Sequence, residues 1–131
     1  MRENKKMAKN LMYVFGAMFI ILGVLGFVYN PLLGLFTTNY AHNLVHVVSG
    51  ILSFVFASRG ESAPRSFALI LGVIYLLLTV FGFMQGSGNL FGIVAINGAD
   101  NFLHLLFAVL FLGVGLTKPS NAMSPASASY R

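Results

Sequence analysis

The sequence predicts an all-α integral membrane fold, with four transmembrane helices arranged as two helical hairpins that repeat in parallel. Three observations predict it. Hydrophobic residues make up 57% of the 131 and charged residues only 8%, where an average soluble domain is about a quarter charged. Four apolar runs are each long enough to cross a hydrocarbon core, which takes about 20 helical residues at about 1.5 Å apiece. A polar motif recurs 58 positions further on, as Asn39, Asn43 and His46 and again as Asn97, Asn101 and His104. A soluble fold of this length has too little polar surface to cover so much apolar material. Lipid tails solvate it instead, and a helix satisfies its own backbone polar groups.

The elements follow in order. Residues 1–10 form a basic leading segment. The first run extends from about Leu11 to Tyr29 and stops at Asn30-Pro31, because proline disfavours helix in the residue before it. The second starts after Asn39 and continues to about Ser58. Arg59 to Arg65 is a charged turn in which Pro64 suits the start of the next helix. The third run spans about Arg65 to Met84, Gln85-Gly86-Ser87-Gly88-Asn89 breaks it, and the fourth spans about Gly98 to Leu116. The transmembrane domain is therefore 11–116, with repeat one at about 11–58 and repeat two at about 65–116. The tail at 117–131 is rich in Ser, Ala and Pro, cannot bury a core, and reads as disordered.

All eight basic residues fall on one side of this map. Arg2, Lys5, Lys6 and Lys9 precede span one, Arg59 and Arg65 separate spans two and three, and Lys118 and Arg131 follow span four. Positive residues are retained in the cytoplasm, so the expected protein is a multi-pass one of the inner (plasma) membrane with both termini cytoplasmic. The links at about 30–39 and 85–97 then face outward. A cleaved signal peptide is not expected, since the first apolar stretch is too long and no small-x-small cleavage site follows it. The net charge of +5 does not imply nucleic acid, because no polar face lies between the basic clusters. The expected partners are the lipid bilayer and either a second copy, as a homo-oligomer, or a membrane partner protein. Cysteine is absent, which excludes disulfides, thiolate metal sites and cysteine nucleophiles.

The repeat is the most informative pattern. Gly34 to His46 matches Gly92 to His104, with identities at Gly34/Gly92, Asn39/Asn97, Asn43/Asn101 and His46/His104. Each unit crosses the membrane twice, so both copies point the same way and place the matched polar residues at one depth. The half-motif of an apolar Gly-containing link followed by Asn-x-x-His, as in Asn43-Leu44-Val45-His46 with Gly50, resembles the bacterial membrane proteins catalogued as domain of unknown function 4383. The resemblance covers roughly residues 10–116. It implies a four-span bacterial protein and implies no activity. The second copy departs from the pattern at Ala108, where the first has Gly50, and a less close helix contact is expected there.

Asn39 and Asn97 stand at the N-cap offset of spans two and four, and Asp100 at the third helical position, where its charge suits the positive helix end; His42 is its counterpart. Asn43, His46, Asn101 and His104 lie up to about two turns, or roughly 10 Å, into the spans. Capping cannot explain them, and polar groups at that depth should face the interior and find partners across helices. One expectation is structural: the two Asn-x-x-His pairs bond to each other or to the apolar links and fasten the repeats. A sharper one uses the offset of four that puts His42 with His46, and Asp100 with His104, on single helix faces. Were those faces to meet, His42, His46, Asp100 and His104 would offer a ligand set for a divalent transition metal, with bis-histidine haem through His46 and His104 as a variant. No resident cofactor is predicted outright.

A third expectation, solute or ion permeation, has only this cluster to work with. Apart from Arg65 at the start of span three, spans one and three hold no Asp, Glu, Lys, Arg or His, and Ser49, Ser53 and Thr79 read as helix-packing residues. Gly16, Gly23 and Gly26 form a stripe on which a neighbouring helix can approach, as do Gly72 and Gly82 in span three; the sequence leaves open whether the neighbour is this chain or another copy. The Phe and Tyr residues form no cofactor box. The links are too apolar to hang free in water and are expected to fold back over the Asn/His cluster. No nucleophile with its base, phosphate loop or cofactor fingerprint is present, so no catalytic residue is assigned and no enzymatic activity is expected.

Overall fold

The computed structural model describes residues 2–117, with side chains from Lys6 onward. The predicted disordered tail beyond Thr117, with Lys118 and Arg131, lies outside the described residues. Four helices run in order, α1 (Arg2–Gly26), α2 (Tyr40–Ser58), α3 (Ala63–Gln85) and α4 (Gly98–Gly115), and two short strands, β1 (Gly88–Leu90) and β2 (Val94–Ile96), lie between α3 and α4. Each helix contains a stretch long and apolar enough to cross a membrane, that of α1 being Lys6–Gly26. α1 packs chiefly along α2 and α3 along α4, so the four-helix bundle is two hairpins laid side by side. The helix of α1 begins within the basic leading segment, whose Lys, Glu and Ala residues favour helix.

The inside and outside of the bundle are the reverse of a soluble protein. Val14, Val48, Ile70, Val80, Phe102 and Val109 are all exposed along the helices, while Thr38, His42, Asn43, His46, Ser53, Thr79, Asp100, Asn101 and His104 are buried. α2 carries this furthest: its inward stripe is His42, Asn43, His46, Gly50, Ser53 and Ala57, while Leu44, Val45, Val48, Ile51 and Leu52 are exposed. Water would not tolerate that surface, whereas lipid solvates it and leaves the polar groups to find partners inside. The chain is thus an all-α, multi-pass membrane protein.

The helical repeat extends further than the motif predicts. The buried positions of α1 (Ala8, Met12, Phe15, Gly16, Phe19, Gly23, Gly26) fall on those of α3 (Pro64, Ala68, Leu71, Gly72, Tyr75, Thr79, Gly82) at a shift of 56, while those of α2 fall on α4 at 58. The two-residue difference is absorbed where α3 runs on to Gln85 and α1 stops at Gly26. The expected first span therefore ends early, at Gly26 rather than Tyr29. There the chain tightens, Phe27 N–H donating to Val24 O and Val28 N–H to Leu25 O. It leaves the helix axis because the Asn30 side chain must reach Thr38: Asn30 Nδ2 donates to Thr38 O at 2.7 Å and Thr38 N–H donates to Asn30 Oδ1 at 3.1 Å.

The two links share one shape. In the second, β1 and β2 pair antiparallel with Gly88 opposite Ile96 and Leu90 opposite Val94; in the first, Leu32 bridges Phe36 at the equivalent positions. The turn residues Leu33 and Gly34 have φ of 55° and 72°, and Phe91 and Gly92 have 54° and 74°. Left-handed φ at two successive positions is what a tight hairpin turn demands, which accounts for a glycine at the second in both copies. The Asn30 amide stands where Gly88 pairs its backbone, so a side chain replaces a peptide group in the first link. These miniature hairpins are absent from the sequence expectation, because three-residue strands carry no periodicity to detect.

The glycine stripes are settled as contacts within the chain. A Cβ on Gly50 would lie 2.7 Å from Gly16 O, and one on Gly23 2.8 Å from Asn43 O. In the second hairpin the close approach moves off Ala108, to Gly72 against Leu112 (2.8 Å) and Gly115 against Leu69 (2.7 Å). Between the hairpins an aromatic core fills the bundle, with Phe15 4.7 Å from Phe111 and Phe19 5.4 Å from Phe107 between ring centroids.

Candidate functional site

The polar residues assemble at the end of the bundle that carries both links, in two tiers. The upper tier is built by the caps. Asn39 and Asn97 hold extended backbones with φ of −140° and −141°, and their Oδ1 atoms accept from His42 N–H (2.9 Å) and Asp100 N–H (3.0 Å). Asp100 Oδ2 accepts from Asn97 N–H at 2.9 Å, completing a capping box in α4. The other end of each asparagine crosses to the opposite repeat. Asn39 Nδ2 donates to Ile93 O at 2.8 Å, and Asn97 Nδ2 donates to Leu35 O at 2.7 Å and Thr37 Oγ1 at 3.0 Å. Leu35 and Ile93 are themselves 58 apart, so the clasp is reciprocal.

His42 does not close a capping box. It reaches the opposite link, its Nδ1 lying 2.7 Å from Ala95 O. A carbonyl oxygen only accepts, so Nδ1 carries a proton, and in the neutral ring Nε2 is then the nitrogen with the lone pair. Asp100, at the equivalent place in α4, interacts electrostatically with His42 and with the backbone of Thr37. Since Thr37 and Ala95 are equivalent, His42 and Asp100 play complementary parts, one donating to a link backbone and the other facing one.

In the lower tier Asn101 Nδ2 donates to Gly82 O (2.9 Å) and Gly86 O (3.0 Å). Gly86 O, past the end of α3, is thereby given a donor, and Gly82 O gains a second beside the Gly86 N–H at 2.7 Å. Asn43 Oδ1 and Asn101 Oδ1 rest on Gly26 and Gly82, at the places a methyl group would occupy. The histidines of the two motifs make no such bonds. His46 is 6% and His104 4% exposed, and Nδ1 of each has no hydrogen-bond partner. Instead their rings pack on equivalent aromatics, His46 on Phe19 at 5.5 Å and His104 on Tyr75 at 5.4 Å. Of the Asn-x-x-His residues expected to fasten the repeats, Asn101 bonds to the end of α3 within its own repeat, and Asn43 Oδ1 and Nδ1 of both histidines have no hydrogen-bond partner; the bonds between repeats come from Asn39, Asn97 and His42. His42 lies 4.6 Å from His46 and 6.1 Å from His104 between ring centroids, so the faces of α2 and α4 do meet. Among the described residues, however, no group of three or more His, Asp or Glu is closed around one point as a metal ion would require.

Sequence reading overlooked Gly26 and Gly82 as landing sites for the asparagines, and Phe19 and Tyr75 as the rings beneath the histidines. Each pair recurs at a shift of 56, and that shift is the signal that finds them.

Fold and site together define a polytopic membrane protein made of two alike hairpins clasped at one end by half-buried asparagines above a buried Asn/His cluster. The chain belongs to the family described as Domain of unknown function (DUF4383), which matches residues 9–117. No curated protein and no solved structure matches it.

Proposed function

We propose that this is a structural or accessory protein of the bacterial inner membrane, non-catalytic, with both termini in the cytoplasm and the two links outside. The observation that carries the reading is the reciprocal clasp in which the side chains of Asn39 and Asn97 bond across the repeats. The interior below it supports the same reading over permeation. Ser53 Oγ donates to Ser49 O and Thr79 Oγ1 to Tyr75 O, each within its own helix, so neither hydroxyl is offered to a passing solute. The buried core itself is packed with Phe15, Phe19, Phe107 and Phe111.

Liposomes containing the purified protein are expected to pass protons, alkali cations and small neutral solutes no faster than empty ones; a saturable flux would replace this reading with transport. Orientation is tested separately, and the absence of native cysteine makes single-cysteine labelling clean. In intact cells a membrane-impermeant maleimide is expected to label Ser87→Cys and to leave Ser62→Cys untouched until the membrane is opened, both positions being exposed. The opposite pattern would invert the topology.

A further inference from the structure

We propose that His42, His46 and His104, with Asp100 beside them, form a binding site for one divalent transition-metal ion. The proposal goes beyond the clasp and does not rest on it. Buried polar atoms in folded proteins nearly always have partners, and a matched pair without them calls for a missing one. Nδ1 of His46 and Nδ1 of His104 are such a pair, on side chains more than nine-tenths buried, and equivalent in the two repeats. His42 supplies the third nitrogen already prepared. Its Nδ1–H is held by Ala95 O, which fixes the ring and leaves Nε2 as the free donor, the arrangement that orients metal-ligating histidines. Asp100, which interacts electrostatically with His42, brings the one carboxylate of the cluster, so that three imidazoles and one negative charge halve the charge of a dication.

The chemistry selects the ion. Imidazole nitrogens with a single carboxylate suit zinc, copper, cobalt or nickel and not calcium or magnesium, which require several oxygens. A haem is disfavoured, since the interior a porphyrin would have to enter is already filled by Phe15, Phe19, Tyr75, Phe107 and Phe111. The side chains are not yet closed around one point, so binding draws the His46 and His104 rings toward His42 by rotation about their side-chain torsions.

The test uses full-length protein in detergent, without a polyhistidine tag, stripped with chelator and titrated with Co²⁺. The expected result is one Co²⁺ per chain, with ligand-field absorption in the visible, imidazole scattering by X-ray absorption, and displacement by Zn²⁺. His46→Phe and His104→Phe keep a ring on Phe19 and Tyr75 and remove only the nitrogens. Each is expected to weaken Co²⁺ binding about tenfold or more while leaving the thermal stability of the metal-free protein unchanged or raised, because an unpartnered buried polar atom has been removed. A wild-type protein that retains no cobalt, or cobalt without imidazole scattering, overturns the proposal. So does a double variant that binds as wild type does. Should the variants fail to fold, the X-ray absorption of the wild type alone decides.

Discussion

Gly82→Ala is expected to cost about 3 kcal/mol of stability. The new methyl group would fall on Asn101 Oδ1, and the amide cannot retreat without releasing Gly82 O and Gly86 O. Overpacking of a filled interior costs about 1–3 kcal/mol, and the two interhelical hydrogen bonds add roughly 0.6 kcal/mol each by membrane standards. Gly26→Ala meets Asn43 in the same way and should cost less, about 2 kcal/mol, from overpacking without the two hydrogen bonds that Asn101 makes. Gly113→Ala is the control, with nothing near its would-be Cβ; it should be neutral or slightly stabilising, as alanine is the better helix former. Unfolding in mixed detergent and dodecyl sulfate reads all three. Combining Gly82→Ala with Asn101→Ala should cost less than the sum of the single changes, because the clash disappears with the amide. A Gly82→Ala protein as stable as Gly113→Ala would show that the asparagine does not sit where it is described.

The second large effect concerns the clasp. Replacing Asn39 and Asn97 together by alanine removes two N-caps, worth about 1 kcal/mol each. It also removes three bonds between the repeats, at roughly 0.6 kcal/mol each in a membrane protein. The expected loss is about 4 kcal/mol. Serine at both positions separates the two contributions, since its hydroxyl still caps a helix but is too short to reach Ile93 O or Leu35 O. The serine pair is then expected to lose about 2 kcal/mol. The same unfolding assay distinguishes them, and equal losses for the alanine and serine pairs would mean that capping contributes nothing here.

Much of this was legible in the sequence because lipid imposes a simple rule: apolar length shows a span, and a polar residue inside a span must face inward. That rule places Asn43, His46, Asn101 and His104 in the interior, and the shift of 58 puts them at one level. The same reasoning could not tell which polar atom meets which. The bond from Asn101 runs to carbonyls of α3, nineteen and fifteen residues back, and its geometry depends on Gly82 lacking a side chain, an absence that no hydropathy pattern records. The links were unreadable for a different reason. Their order comes from side-chain amides and left-handed turns at Leu33 and Phe91, where leucine and phenylalanine are poor advertisements for such backbone. His42 looked like a counterpart of Asp100 near a helix end, and only the position of Ala95 O shows that it bonds away from its own helix.

The reciprocity of Asn39 and Asn97 bears on how such a chain could arise. A lone hairpin that carries both the amide and the carbonyl it seeks is self-complementary, so two identical copies can join through an isologous contact about a two-fold axis. Joining the copies in one gene removes the requirement that they stay identical. The exchange of a hydrogen-bond donor at His42 for an acceptor at Asp100 is a divergence open to the fused chain and closed to a symmetric pair.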